Sequence, residues 1–339
     1  MKLLYTDFAD KAKLRDLSQR HKVPGFNYCL IKEGIAQQTH AYGVQNVETG
    51  EPMLPSTIFE AASLTKTLFA CLVLRLVDRG VLTLDEPIAP LAPAVQVSQD
   101  ERIQTITARQ VLSHGTGLPN WDKKPYLKFL FDPGTSYSYS GEGYYYLQRI
   151  LNEVTGKDFT DHYKDEFLKP LGMTHSFPVW EEAVCAIESR KHDAKGELLP
   201  DRRHLDLEGD APEPNAAWSL YCGAEDYAKY MLEILNCHGH LSEESFAEMT
   251  RPQNRAAQGV SWGLGWGIPD KDPNVIWHWG DNGGYRSLTA MDLKTKDGVC
   301  VFCNGAGGTD LCPLRLQGAE VAVSSRGLAD GHRQGQCHP

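Results

Sequence analysis

The sequence contains no unbroken apolar stretch of the roughly 18 residues that a membrane-spanning helix requires. Positive charge is also scarce, since 34 Lys and Arg residues against 44 Asp and Glu residues give a net charge of −10. Such a surface repels nucleic acids and anionic membranes, which are themselves negatively charged. We therefore expect a small-molecule partner, with no nucleic acid and no membrane, and we leave the oligomeric state open.

The N-terminus lacks the features of a secretory signal, namely a sustained apolar run followed by a cleavage site of small residues. Its opening residues instead have the spacing of an amphipathic helix. The nine cysteines are odd in number and dispersed along the 339 residues. Together these features predict a cytoplasmic protein with reduced thiols.

Motifs for metals and other cofactors are missing as well. Cys300 and Cys303 form a C-x-x-C pair, but GVCVFCNG reads as a strand, in which residues three apart point to opposite faces. Two buried core thiols are therefore favoured over a metal or redox pair. No Cys or His group has the spacing of a zinc site, and no glycine-rich phosphate loop follows a predicted strand. We expect neither a metal nor another cofactor.

Strand-like segments lie near both ends of the chain, and helical periodicity dominates between them. We predict a discontinuous α/β domain from residues 1–80 and 255–325, a mainly helical domain from residues 81–254, and a disordered tail from residues 326–339. The first strands flank a turn at Glu33 and Gly34. The simplest arrangement is a sheet built from both chain ends, with the helical region inserted between them.

Ser63 and Lys66 lie at the beginning of an otherwise apolar helix, in FEAASLTKTLFACLVLRLVDRG. Residues i and i+3 share one helix face, so the amine can reach the hydroxyl. A buried lysine near other cations has a lowered pKa and can accept the serine proton, and the helix dipole favours the negative charge that then develops. The pattern predicts a nucleophile and its base. Taken alone, however, a Ser-x-x-Lys sequence more commonly contains an N-capping serine and a solvent-facing lysine.

Two further stretches support the catalytic interpretation. YSG, residues 139–141, lies just before a predicted helix, and HWG, residues 278–280, ends a predicted strand. With the Ser63 motif, they resemble the three signature motifs of the serine β-lactamase and penicillin-binding-protein family. Five further segments resemble those of the class C β-lactamase-related branch of this family, which includes the family VIII carboxylesterases. In family order they are VPGFNYCLIKEG, VLSHGTGLP, PGTSYSYSGEGY, LGMTHS and WGLGWGI. The resemblance covers residues 23–304.

The resemblance implies an α/β sandwich, with an antiparallel sheet flanked by helices, a mostly helical insertion, and the site between the two. It implies that Ser63 is the acyl-accepting nucleophile, Lys66 its base or proton relay, and Tyr139 the group that shuttles protons to the serine and the leaving group. The backbone N–H groups of Ser63 and Asp281 would form the oxyanion hole. His278 stands where the family usually has lysine, and its charge near pH 7 depends on its surroundings.

Two positions depart from the family pattern. Gly141 replaces an asparagine whose amide holds the amide side chain of the substrate, and Trp279 replaces a small hydroxyl residue. Both changes favour esters over β-lactams and peptides. The predicted substrate-binding residues are Gly141, Trp279, Gly280, Trp121 and Trp266.

Other conspicuous residues are interpreted as structural. GVSWG matches the G-x-S-x-G nucleophile motif around Ser261, but helix breakers follow it where that motif needs a helix. His114, in LSHGTG, is expected to be a structural histidine at the end of a helix. Trp262 and Trp266 fit either the core or an acyl pocket, and the sequence does not choose between these locations.

We therefore expect a serine hydrolase that works through an acyl-enzyme on Ser63 and acts on short-chain esters as a carboxylesterase. The closest alternative is a β-lactamase or D-amino peptidase of the same fold. The missing export signal and the missing second-motif asparagine disfavour that alternative. A catalytically weak binding or structural homologue is the third, and the presence of the serine, the lysine and the tyrosine disfavours it. The fold alone does not fix the substrate.

Overall fold

The computed structural model describes residues 10–122, 124–200, 213–311, 315–316 and 319–320. The predicted disordered tail, residues 326–339, lies outside the described residues. Among the helices of the described ranges, none combines the length and the apolar composition that crossing a membrane would demand.

A nine-stranded antiparallel sheet forms the centre of the described structure. The strands are β1 (Gly25–Lys32), β2 (Ile35–Ala36), β3 (His40–Gly43), β4 (Phe59–Glu60), β5 (Tyr221–Cys222), β6 (Asn254–Ala257), β7 (Val260–Trp262), β8 (Gly267–Pro269), β9 (Val275–Asn282), β10 (Tyr285–Asp292), β11 (Asp297–Cys303), β12 (Arg315–Leu316) and β13 (Ala319–Glu320). The main sheet has the order β2-β1-β11-β10-β9-β8-β7-β6, and β3 also pairs with β1; β4 with β5, and β12 with β13, form two short separate pairs.

The helices lie mostly between β3 and β6 in the chain. They are α1 (Lys11–Arg20), α2 (Thr65–Asp78), α3 (Ala108–Leu112), α4 (Gly141–Thr155), α5 (Phe159–Tyr163), α6 (Lys169–Leu171), α7 (Ala224–Cys237) and α8 (Glu243–Thr250), with one π turn at Lys164–Leu168. The 3₁₀ turns are Ala62–Leu64, Ala89–Leu91, Glu101–Thr105, Glu182–Ala186, His238–His240 and Ala306–Leu311.

The pairing of β1 with β11 joins the two ends of the chain. Its register runs from Phe26 opposite Cys303 to Ile31 opposite Gly298. This pairing confirms that the sheet is assembled from both ends. The turn predicted at Glu33 and Gly34 connects β1 to β2, and Gly34 has the positive φ of 75° that glycine adopts readily.

The sheet separates two apolar cores. The larger core holds α2 and α7 against one face, whereas the smaller core holds Leu14 of α1 against the other. Cys300 belongs to the larger core and Cys303 to the smaller one, and both are free thiols. Their opposite placement is the one that strand geometry predicted.

Helix α7 packs directly on the sheet, although its residues fall within the predicted helical domain. Met231 approaches the position of a β-carbon at Gly298 to 2.8 Å, and its sulfur accepts a hydrogen bond from Thr289 at 3.3 Å. The side chain of Cys300 also reaches the carbonyl of Ala224, at 3.4 Å. Proximity in sequence therefore does not decide which layer a helix joins, and the domain division remains a prediction.

Helix α2 is surrounded by protein, since every residue from Thr65 to Leu76 is buried. A helix that is apolar on all sides is stable only in such an interior position. Tyr163 and Tyr230, from two other helices, donate hydrogen bonds to the carbonyls of Thr65 at 2.7 Å and Thr67 at 2.9 Å. The first turn of α2 is thus held on several sides, directly after Ser63.

Arg75 of α2 forms a buried ion pair with Glu233 of α7, with 3.0 Å between Nη2 and Oε1 and both side chains 8% exposed. We expect Arg75→Ala to lower the free energy of unfolding by about 3–5 kcal/mol, because it leaves a buried carboxylate without this cation. Urea unfolding measures the change. The matched control is Arg20→Ala, whose partner Asp16 is 64% exposed, as is Arg20 itself. The control should cost less than about 1 kcal/mol, and equal losses in the two variants would contradict the prediction.

Candidate active site

Ser63 lies in the tight turn that joins β4 to α2. The preceding residue, Ala62, has a left-handed φ of 52°, which a residue with a β-carbon adopts at a cost of about 1–2 kcal/mol. Hydrogen bonds hold this turn from both sides: Ser287 donates to the carbonyl of Ala61 at 2.9 Å, and Thr65 donates to that of Ala62 at 2.6 Å. Ser63 is partly exposed, whereas its neighbours Ala62 and Leu64 are buried.

Lys66 is completely buried one helical turn after Ser63. Its Nζ lies 3.2 Å from Ser63 Oγ and donates a hydrogen bond to the carbonyl of Ala217 at 2.8 Å. Burial lowers its pKa well below the usual value. No ion pair joins Lys66 to a carboxylate within the described ranges, so little offsets this effect. The predicted nucleophile and base are therefore within hydrogen-bonding distance, and the lowered pKa makes this amine more readily available as a proton acceptor than an exposed lysine.

Tyr139 covers the lysine. The Lys66 Nζ lies 4.7 Å from the centroid of the phenol ring. Burial raises the pKa of Tyr139, while the nearby Ser63 hydroxyl lowers it in part. The Tyr139 hydroxyl itself is buried and makes no hydrogen bond of regular geometry in the described structure. Without substrate, the residue is a neutral phenol that can donate a proton. Hydrogen bonds of catalytic groups commonly form or shorten only when the substrate binds.

His278 is a neutral residue in this structure. Its side chain is completely buried on β9, and burial, together with the nearby Lys66, lowers its pKa to about 3. Its Nδ1 lies 2.7 Å from the carbonyl of Trp279 and must donate to it, which leaves Nε2 as an unprotonated acceptor. His278 therefore does not supply the positive charge of the lysine that it replaces.

Strand β9 passes directly against the Ser63 turn at Gly280. A β-carbon at Gly280 would lie 2.2 Å from Ser287 Oγ and 2.4 Å from the carbonyl oxygen of Ala61. Only glycine fits at such a close approach. The next residue, Asp281, is thereby brought to the edge of the turn, where its backbone N–H was predicted to join that of Ser63 in an oxyanion hole. That role remains a prediction.

Two of the predicted tryptophans lie near the motif residues. Trp279 is partly exposed, and its ring centroid is 5.4 Å from that of Tyr139. Trp121 is 51% exposed, and two of its indole carbons lie 2.4 Å from the position of a β-carbon at Gly141. The indole thus fills the space that a side chain at Gly141 would need.

Trp266 does not line an accessible pocket. Its side chain has no exposed surface and lies wholly in the larger core, so it offers nothing to a substrate in this conformation. Of the two locations left open by the sequence, the core is the one found. Trp262 is also fully buried, but its ring centroid lies 6.1 Å from that of Tyr139 and 5.4 Å from that of His278. Its indole therefore packs against the buried side of these two motif residues.

Ser261 is not part of this arrangement. It lies on β7, and its hydroxyl donates to the carboxylate of Asp270 at 2.7 Å. No helix follows β7 directly, since the chain continues into β8. The G-x-S-x-G match therefore lacks the strand–turn–helix context of a nucleophile.

One cluster in the described ranges brings three possible metal ligands together. The side chains of Glu233, Cys237 and His240 place one ligand atom each within 4.8 Å of one another. The Glu233 carboxylate is already paired with Arg75 and contacts the His240 ring. We interpret the cluster as the end of a buried ion-pair network.

Comparison with known proteins places this geometry in a family. The Beta-lactamase family model matches residues 11–322. The chain is 24% identical over 325 residues to "Protein flp" of Staphylococcus aureus (strain N315), covering 87% of this chain but only 62% of that protein's length. It is 27% identical over 332 residues to "Penicillin-binding protein 4" of Amycolatopsis lactamdurans, covering 86% of this chain and 84% of the relative.

A solved class C β-lactamase has the same fold, with a TM-score of 0.76 at 16% identity, covering 92% of this chain and 96% of the other. Because the family model covers most of the chain, the chain belongs to the β-lactamase family.

The neutral state of His278 has a measurable consequence. Its pKa falls from 6.5 to about 3 on folding, so between pH 6.5 and about pH 3 the unfolded chain takes up this proton and the folded chain does not. The contribution of His278 to the free energy of unfolding is therefore fully present above pH 6.5 and is lost as the pH falls, by about 2 kcal/mol at pH 5. We expect His278→Gln to remove that share of the pH dependence, measured by urea unfolding at pH 7 and pH 5. The exposed His238, replaced by Asn, is the control, and an unchanged dependence in His278→Gln would refute the assignment.

Proposed function

We propose that this chain is an active serine hydrolase that forms an acyl-enzyme on Ser63 and prefers short-chain carboxylic esters. The observation that supports it most strongly is the fully buried Lys66 amine, 3.2 Å from Ser63 Oγ and without a carboxylate partner in the described ranges. Burial of this kind lowers the pKa of a lysine and so favours its free-base form, and a free base activates a serine hydroxyl.

The proposed proton path uses two groups of opposite character. Ser63 Oγ attacks the substrate carbonyl carbon while its proton passes to Lys66 Nζ. The carbonyl–alkoxide bond then breaks, and Tyr139, whose pKa is raised by burial, gives its proton to the departing alkoxide and is reprotonated from Lys66. Water hydrolyses the acyl-enzyme by the reverse path. The backbone N–H groups of Ser63 and Asp281 are proposed to bind the oxyanion.

Three features support esters over β-lactams and D-alanyl peptides. The indole of Trp121 covers Gly141, so no amide is available there for an acylamide side chain. His278 is neutral, so the third motif offers no cation to the carboxylate that cephalosporins carry. Arg286, on the strand opposite Asp281, is already paired with that residue at 2.6 Å. Each feature removes a polar contact that an ester does not need.

The relatives favour a second candidate. One sequence relative is named a penicillin-binding protein, and one structural neighbour is a class C β-lactamase. Lactam turnover is therefore the alternative for this site. A binding protein without catalysis is the third candidate. The close contact between Lys66 and Ser63 argues against it, because burying an amine there costs free energy that a purely structural site has no reason to spend.

The first test compares hydrolysis of p-nitrophenyl butyrate with that of a chromogenic cephalosporin. We expect the ester to have the higher kcat/KM. Ser63→Ala should lower kcat/KM for both substrates by about a thousandfold or more, because the nucleophile is lost. Ser261→Ala is the matched serine control and should remain fully active. Activity that survives in Ser63→Ala but not in Ser261→Ala would overturn the nucleophile, and faster lactam turnover would overturn the ester preference.

The second test restores the missing amide. Trp121→Ala combined with Gly141→Asn opens the covered position and places an asparagine in it. We expect the ratio of cephalosporin to ester kcat/KM to rise by about tenfold, the value of roughly one hydrogen bond. Trp121→Ala alone is the control, since it opens the space without adding the amide. An equal ratio in the single and double variants would show that Gly141 does not set the preference.

A further inference from the structure

We propose that His114 is a positioning residue for Tyr139, which it holds through hydrogen bonds to the backbone on both sides. The inference rests on the proposed function, because it gives Tyr139 a part in catalysis. The carbonyl of His114 accepts the N–H of Ser138 at 3.0 Å, and its Nδ1 accepts the N–H of Ser140 at 3.1 Å. The imidazole and phenol centroids are only 4.2 Å apart. The two hydrogen bonds therefore fix the backbone on either side of Tyr139, and the ring contact packs the imidazole against the phenol.

His114 is itself held firmly at the end of α3. Its backbone N–H donates to the carbonyl of Val111 at 3.1 Å, and a capping box between Thr107 and Gln110 fixes the other end of this helix. The φ of His114 is 57°, a left-handed conformation that is uncommon for residues other than glycine. Such strain persists only where the surrounding structure imposes it. The imidazole thus provides a rigid reference for the loop that carries Tyr139.

The bond to Ser140 fixes the chemical state of the ring. A backbone N–H can only donate, so Nδ1 must carry a lone pair and the ring proton must be on Nε2. That Nε2 is buried and has no hydrogen-bond partner in the described structure. The imidazole is completely buried, and burial lowers its pKa well below the usual value, with Lys66 and His278 contributing in the same direction. The neutral form required for the bond is therefore the stable one.

The groups that face the imidazole come from several elements. They are Lys66 of α2, His278 of β9, Tyr137 and Tyr139 of the loop before α4, and Tyr144 of α4. None of them is a carboxylate, so none would stabilise a protonated imidazole. Protonation at Nδ1 would break the bond to Ser140 and leave a buried charge without a carboxylate partner among these groups.

Two substitutions at His114 separate the hydrogen bond from the ring contact. His114→Phe keeps an aromatic ring against Tyr139 but has no acceptor for Ser140. His114→Asn offers an amide oxygen near the former Nδ1 and tolerates a left-handed backbone. We expect His114→Phe to lower kcat for p-nitrophenyl butyrate by about tenfold or more with little change in KM, and His114→Asn to stay within about threefold of the wild type. Values are normalised to folded protein, determined by urea unfolding.

Equal kcat losses in the two variants, or an unchanged kcat in His114→Phe, would overturn the inference. A merely structural histidine would change the free energy of unfolding without this rescue by asparagine. The rate of fluorophosphonate labelling at Ser63 gives a second readout that does not depend on the choice of ester.

Tyr139→Phe separates this inference from the proposed function. If Tyr139→Phe keeps the kcat and labelling rate of the wild type, the catalytic role of Tyr139 fails and the inference fails with it. If Tyr139→Phe is slow but His114→Phe is not, only the inference fails. In the Tyr139→Phe background, His114→Phe should have no further effect on kcat, because the two changes remove one function. The same fold loss in both backgrounds would show that His114 acts elsewhere.

Discussion

The burial of the Lys66 amine beside Ser63 is the constraint on which the rest of the site depends. A charged amine that has no exposed surface, and no carboxylate partner in the part of the chain that the structure describes, is costly, so burial favours the neutral form, which can accept a proton. The contact survives because α2 is enclosed on all sides and its first carbonyls accept hydrogen bonds from two buried tyrosines. Any opening that admitted water would restore the ordinary pKa. The stability of the helix and the reactivity of the serine thus have one physical cause.

The sheet contributes a second constraint through close backbone contact. β9 can pass the Ser63 turn only because Gly280 has no β-carbon, and the hydroxyl of Ser287, on the next strand, ties the sheet to the carbonyl of Ala61. The left-handed Ala62 lies between these contacts and Ser63. A strained residue beside a nucleophile is maintained by its surroundings, and here the surroundings are the sheet edge itself.

The aromatic surroundings explain how the chain can replace a lysine of the third motif by His278. Rings of Tyr139, Trp262 and Trp279 enclose the imidazole and keep water from it, so its pKa falls to about 3. The same enclosure raises the pKa of Tyr139 and lowers that of Lys66. A single apolar environment therefore separates an acid from a base, which is the arrangement that proton transfer requires.

The sequence by itself determined the nucleophile motif, the strand periodicity at both chain ends and the opposite placement of Cys300 and Cys303, because these follow from local spacing. It did not determine the layer that α7 joins, the core location of Trp266 or the contact of Trp121 with Gly141, since these depend on residues far apart in the chain. His114 shows the limit most clearly. LSHGTG indicated the end of a helix, but only tertiary structure brought the imidazole to the two amides that flank Tyr139. The spacing of residues in the sequence determines which face of a helix or strand a side chain occupies, whereas tertiary packing determines which residues that face contacts.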